Sequence, residues 1–264
     1  ELDEVTTRKT LGTPHKNVDN EVFKAAIQNL LSTYRGERDV DDRDSFSFQR
    51  VLGPEDIFSE AILKDKARVA KQILYKAQNT KNLQHVHANA YKTIPDYVFN
   101  GSRLGMSLEE VNPMDALDGN VKITGMGEGG FISDQGVPDT ARMVTPTQLG
   151  YVDIIRSPES SAVGVDGRLA IDTYKGVDGN LYSKFIDKNG KSKYVASSDI
   201  DDLVIAFPGD IEKVKAGKQP KVRAVNKGLV DYVDPDDVDY TLPSGQQMFS
   251  QSANLIPYVS GVKG

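Results

Sequence analysis

The sequence predicts an α+β chain, helical first and β-rich last, on three observations. Apolar residues recur at helical spacing through the first third. Glycine and proline crowd the middle. Beyond residue 170, short alternating runs are separated by turn signals, including Asn189-Gly190.

In residues 1–100, Val22, Ala25, Ala26, Leu30 and Leu31 mark a helix that Asp19 or Asn20 caps. Residues 40–50 are polar and acidic and read as a loop. Pro54-Glu55-Asp56 opens a second helix, because proline is favourable in a first turn. Ile57, Phe58, Ile62, Val69 and Ile73 line its apolar side. Residues 74–99 are less regular, with a break expected at Pro95.

Residues 101–169 read as an irregular β core of short strands and loops. It is punctuated at Asn112-Pro113, Gly125, Gly127, Gly129, Gly130, Pro138, Pro146 and Pro158. Residues 170–243 read as a β-rich module. It holds a hairpin of residues 181–186 and 193–196 around Asp187-Lys188-Asn189-Gly190, then strands over 203–207, 222–225 and 229–233. Residues 208–221 are polar and read as a surface excursion. Residues 244–264 are expected to form a return strand.

Hydrophobic residues make up 38% of the 264, a thin supply for a core, so the chain is expected to complete its burial against partners. The net charge is −6. Any contact with nucleic acid must then come from a local basic surface and not from the overall field. The absence of cysteine excludes disulfides and thiolate zinc sites. No apolar run approaches the roughly 18 residues of a membrane helix.

Several motifs invite chemistry and lack a part of it. The stretch Gly125-Met126-Gly127-Glu128-Gly129-Gly130 is followed by Phe131-Ile132 and not by Gly-Lys-Ser/Thr opening a helix. It reads as a sharp loop and not as a phosphate cradle. The clusters Asp39/Asp41/Asp42/Asp44 and Asp234/Asp236/Asp237/Asp239 could hold Mg²⁺ or form solvated turns. His85 and His87 could form a strand-borne metal pair, without an obvious third ligand. No Ser/His/Asp signature stands out.

One stretch resembles a known family over tens of residues. It runs from Ile123-Thr124-Gly125 through Gly129-Gly130-Phe131, then Arg142-Met143-Val144-Thr145-Pro146-Thr147-Gln148-Leu149-Gly150, then Arg156-Ser157-Pro158-Glu159-Ser160 and Val163-Gly164. It is similar to the β subunit of multisubunit DNA-directed RNA polymerase. Bacterial β subunits carry Ile-Ser-Ala-Leu-Gly-Pro-Gly-Gly-Leu, Arg-Asp-Val-His-Pro-Thr-His-Tyr-Gly, Glu-Thr-Pro-Glu-Gly and Ile-Gly in that order. Further blocks agree in order: Val40-Asp41-Asp42-Arg43-Asp44, Phe99-Asn100-Gly101-Ser102, Asn112-Pro113-Met114, and Ser252-Ala253-Asn254-Leu255-Ile256-Pro257-Tyr258. The resemblance spans residues 40–258. Arg156 and Ser157 depart from it, standing where cellular β subunits have Glu and Thr; such drift resembles the split polymerases of large-genome bacteriophages.

The resemblance implies a part of the β-type subunit that carries no catalytic residue and holds no metal. Mg²⁺ is expected on aspartates of the partner large subunit. Residues 101–169 would be the fork-region core facing the nucleic-acid channel. Residues 170–243 would be an outward module, and 244–264 would lead toward a hybrid-binding domain. Lys122, Gly127, Gly129, Gly130, Arg142, Pro158 and Glu159 are the candidate nucleic-acid-binding residues, with Lys122 and Arg142 meeting phosphates unless they form internal ion pairs. The implied partners are a β′-type chain, the remainder of β, template DNA and the RNA transcript, and no membrane. The implied location is the cytoplasm of an infected bacterial host, or the virion. The family's rifamycin pocket would lie between Phe99 and Met126, with Met106 and Gly119 replacing two polar contacts, which implies resistance. Two alternatives are an assembly or virion structural module that retains the β scaffold, and a hydrolase built on the acidic clusters.

Overall fold

A computed structural model describes residues 2–80, 91–102, 104–105, 107, 111–127 and 129–258. The two helices that the sequence predicts in the first third start where it places them, and a further helix precedes them. Helix α1 (Glu4–Leu11) is capped by Asp3, whose carboxylate accepts from the Thr6 amide at 2.9 Å. Helix α2 (Asn20–Tyr34) is capped by Asp19, which accepts from the amides of Glu21 and Val22. Free first-turn amides need such partners, and each cap contributes about 1 kcal/mol. No residue of α2 is buried: Phe23, Ile27, Leu30 and Tyr34 form one exposed stripe.

Helix α3 (Pro54–Thr80) is longer than expected and runs through residues 74–80 without irregularity. Helix α4 (Thr93–Asp96) is followed by a π-helical turn, Tyr97–Gly101. Pro95 does not break the chain here. It lies in the first turn of α4, where its missing N–H costs no hydrogen bond. Ile57, Ile94 and Val98 form a small core between α3 and α4, flanked by Phe58, Ala61 and Ile62.

The middle segment holds less strand than its glycines and prolines suggest. Asn112-Pro113 opens helix α5 (Pro113–Asn120) through a capping box with Asp115. Strand β1 (Lys122–Thr124) follows, then the short helix α6 (Asp139–Arg142), then β2 (Asp166–Arg168). β1 and β2 pair antiparallel as a separate two-stranded sheet. Every described residue between them is loop, 3₁₀ turn or α6. Dense Gly and Pro supply turns, not ladder partners.

The last third forms a seven-stranded sheet. Its members are β3 (Tyr174–Lys175), β4 (Leu181–Asp187), β5 (Ser192–Ala196), β6 (Val204–Ala206), β7 (Val222–Asn226), β8 (Leu229–Val233) and β9 (Tyr240–Thr241). The order is β3-β4-β9-β6-β7-β8, with β5 also on β4; β6 and β9 run parallel and the other pairs antiparallel. The Asp187–Gly190 turn closes the β4–β5 hairpin as expected, with the Asp187 carboxylate accepting from the Asn189 and Lys191 amides. Residues 208–221 are more than a surface excursion. They contain helix α7 (Asp210–Lys215), whose Ile211 and Val214 pack on Ala206, Val222, Ala224, Val233 and Val238. The expected return strand is not observed in residues 244–258. They form a 3₁₀ turn, Gly245–Met248, and helix α8 (Gln251–Asn254); residues 259–264 lie outside the described residues.

The main core crosses three of the four sequence segments. Phe46, Tyr151, Val152, Leu181, Phe185, Val195, Ile200, Ile205 and Leu242 form it. Tyr151 and Phe185 are fully buried, with ring centroids 5.7 Å apart. Burial of each such side chain stabilises by roughly 1.5–3 kcal/mol. Phe46 arrives from the acidic loop, held by the Thr147 hydroxyl accepting its amide at 3.1 Å and by Ser45 and Ser47 donating to the Asp201 carboxylate.

Candidate functional site

The glycine loop begins at the end of β1. The Gly125 amide donates to the Val165 carbonyl at 2.9 Å, which ties the loop to the strand across from it. The Phe131 amide returns to the Gly125 carbonyl, and the Gly130 amide to the Gly127 carbonyl. The backbone passes through positive φ at Gly127 and Gly129. At Gly130 the return is so tight that a Cβ would sit 2.2 Å from the Gly125 carbonyl oxygen. No side chain fits there, so the glycine serves close backbone approach within the loop.

Arg142 links this region to the next loop. Its guanidinium donates to the carbonyls of Asp134 at 2.6 Å, Ser161 at 2.7 Å and Val163 at 2.8 Å. Ser161 also donates to the Asp134 carboxylate at 2.8 Å. Gly164 lies against the Arg142 backbone with φ +69°, and a Cβ there would meet the Arg142 carbonyl at 2.2 Å. Its amide donates to the Ser157 hydroxyl. Residues 134–142 and 156–164 are thus locked face to face. Ile132, Met143, Val144 and Val163 remain exposed around them.

The strand pair under the loops places two cations opposite each other, Lys122 across from Arg168. Like charges in that position repel, and each finds an acid. Lys122 pairs with Asp166 at 2.9 Å, both mostly buried. Arg168 pairs with the buried Asp118 at 2.7 Å. Asp118 also accepts from the Ser252 hydroxyl at 2.7 Å and from Arg156 at 3.4 Å. Burial works against the Asp118 carboxylate, but the hydrogen bonds from Ser252 and Arg168 and the arginine charge outweigh it and hold its pKa below the ordinary value. Beneath it, buried Asp153 accepts from the amides of Ile155, Arg156 and Ser250. This carboxylate pair joins α5, β2, the 156–164 loop and α8.

The candidate residues therefore divide. Gly127, Gly129 and Gly130 form one loop; Pro158 and Glu159 lie on the facing loop, with Glu159 exposed. Lys122 and Arg142 are in the same region, but their bonds run inward to a carboxylate and to carbonyls. Arg156, not among the candidates, has the guanidinium most open to solvent here, its side chain 55% exposed. Asp118, Asp153 and Ser250 gave no sequence signal, because Asp118 meets Ser252 134 residues away along the chain and Asp153 meets Ser250 97 residues away.

Members of the acidic clusters are taken up in contacts within the protein. Asp41 pairs with Arg38, Asp42 accepts from the Asp44 amide, and Asp239 accepts from the Val204 amide. Among the described residues, no group of three or more His, Asp or Glu side chains is placed to hold a metal ion. His15 bonds the Thr13 hydroxyl. His85, His87 and Met106 lie outside the described residues; Gly119 is in the last turn of α5. No helix among the described residues is long and apolar enough to cross a membrane.

Comparison with known proteins covers this region and, for individual relatives, most of the chain. Residues 106–174 match the family described as RNA polymerase Rpb2, domain 3. The chain is 24% identical over 257 residues to the DNA-directed RNA polymerase subunit beta of Treponema denticola, covering 92% of this chain and 22% of that protein. It is 25% identical over 243 residues to that of Phaeodactylum tricornutum, covering 89% and 17%, and 25% identical over 258 residues to that of Bigelowiella natans, covering 93% and 23%. The chain thus spans about a fifth of the length of the curated relatives it matches. These matches support a divergent β-subunit segment.

Proposed function

Starting from a divergent β-subunit segment, we propose that this chain is part of the β-type subunit of a multisubunit DNA-dependent RNA polymerase. In this reading the paired loops 125–136 and 156–164 form a wall of the channel that contacts template and RNA and helps keep the strands apart. The observation that carries it is the coincidence of the family match with the locked loop pair. A wall that separates strands must resist deformation, and the three Arg142 bonds and the Asp118 network supply that stiffness.

Contact with phosphates falls to backbone amides and to Arg156, whose bond to Asp118 is long and whose side chain is more than half exposed, whereas Lys122 and Arg142 are held by short inward bonds. Nucleotidyl transfer, in which the RNA 3′ hydroxyl attacks the α-phosphate and pyrophosphate leaves, is assigned to Mg²⁺ and aspartates of the partner large subunit. This chain supplies position, not chemistry. Its partners are the β′-type chain, the remainder of β, template and transcript. The departures at Arg156 and Ser157 favour a phage enzyme, working in the infected cell's cytoplasm or carried in the virion.

The test has two steps. The tagged chain should co-purify with a chain bearing an Asp-Phe-Asp-Gly-Asp motif. In the reconstituted enzyme, Gly130→Val should slow RNA synthesis on duplex DNA and spare synthesis on a pre-melted bubble. Isolation without polymerase chains, or equal loss on both templates, would overturn the reading. The inward bonding of Lys122, Arg142 and Arg168 favours one rival, an assembly module with the β scaffold and no channel contact. Photo-crosslinking from position 159 to RNA or template separates the two.

A further inference from the structure

β8 ends the seven-stranded sheet, and its outer edge pairs with no described strand. Its register says which groups face that edge. The β7–β8 hairpin turns on Lys227 and Gly228, at φ 48° and 75°. A two-residue turn of that kind makes Asn226–Leu229 a hydrogen-bonded pair, and Ala224–Asp231 and Val222–Val233 follow by alternation. The amides and carbonyls of Val230 and Tyr232 therefore point away from β7. The Tyr232 amide, lacking a ladder partner, is taken by the Asp231 carboxylate beside it at 2.7 Å.

Sheet edges are ordinarily blunted by lysine, proline, a bulge or a covering element. β8 reads Leu-Val-Asp-Tyr-Val and carries no lysine, proline or bulge. Its Leu229, Val230 and Tyr232 are 71%, 49% and 61% exposed. Its one charged residue, Asp231, makes no ion pair among the described residues. We propose that β8 accepts an added antiparallel strand from another polypeptide, with apolar residues opposite Val230 and Tyr232 and a lysine or arginine opposite Asp231.

The charge pattern selects that occupant over a second copy of this chain. A two-fold pairing of β8 with itself about Asp231 sets two carboxylates opposite each other in the closer, non-hydrogen-bonded position, where like charges repel. A pairing about Val230 sets Asp231 against Leu229 and neutralises nothing. A cation opposite Asp231 draws the carboxylate off the Tyr232 amide and frees the edge for four backbone hydrogen bonds. The inference does not depend on the polymerase reading.

The test uses the whole chain and two capped peptides, Thr-Val-Lys-Val-Thr and Thr-Val-Glu-Val-Thr, followed by amide exchange in NMR. The lysine peptide should slow exchange at Val230 and Tyr232, and the glutamate peptide should bind about fivefold more weakly, the size of one cross-strand charge pair. Asp231→Lys, a surface change, should invert that preference. Val230→Pro should abolish binding with the circular dichroism unchanged, since only the outward N–H is lost. Equal affinity for both peptides, protection away from β8 or no binding would overturn the proposal. So would protection that rises with protein concentration alone, which would assign the edge to self-association.

Discussion

Replacing Arg142 with methionine removes the fork of donors that holds residues 134–142 against 156–164 and keeps most of the apolar stem. Three carbonyls lose a charged donor at 2.6–2.8 Å. Hydrogen bonds to charged groups each contribute about 1.5–3 kcal/mol when desolvated. Ser161 and Val163 are exposed, so water replaces much of that, and the net local cost should be about 2 kcal/mol. That corresponds to roughly thirtyfold faster opening of the loop. Amide hydrogen exchange reads it directly at Val163, Gly164 and Val165, whose amides bond Ser160, Ser157 and Ala162 within the loop. Arg142→Lys should recover little, because one ammonium cannot span three carbonyls on two loops. Unchanged exchange together with weakened nucleic-acid binding would refute this reasoning and return Arg142 to a phosphate-contact role.

Asp118→Asn should destabilise the fold by about 3 kcal/mol at neutral pH, since it leaves the mostly buried Arg168 without its counter-charge. The Asp118 pKa is depressed in the fold, so its contribution is complete above the ordinary carboxylate pKa and is lost as pH falls through the lower folded value. Urea titrations should therefore show the gap between wild type and variant closing below about pH 4. Gly164→Ala adds a Cβ 2.2 Å from the Arg142 carbonyl at positive φ and should cost about 2–3 kcal/mol by thermal unfolding. Phe185→Ala empties the centre of the main core and should cost about 3–5 kcal/mol, read from the denaturation midpoint at constant slope.

A feature is legible in the sequence when the residues it depends on lie close together along the chain. Helix starts at Asp19 and Pro54, and the Asn189-Gly190 hairpin, were legible because each depends on residues within a turn or two. Pro95 and Asn112-Pro113 misled because the same residues that break a helix also begin one. Helix α7 hid in a polar stretch because only Ile211 and Val214 of its six residues face the core.

The glycine loop and its neighbours were likewise visible as a block, since their spacing is local and matches a family pattern. What those residues do with their charges was not visible. Lys122 reads as a phosphate contact until the β1–β2 register sets it opposite Arg168 and within reach of Asp166. Arg142 reads the same way until the fold brings two loops within one guanidinium's span. By itself the sequence determined two helix starts, the β4–β5 turn and the family resemblance carried by residues 40–258. The tertiary structure decided which cations are consumed inside and which edge stays open, because ion pairs and sheet edges depend on residues that only folding brings together.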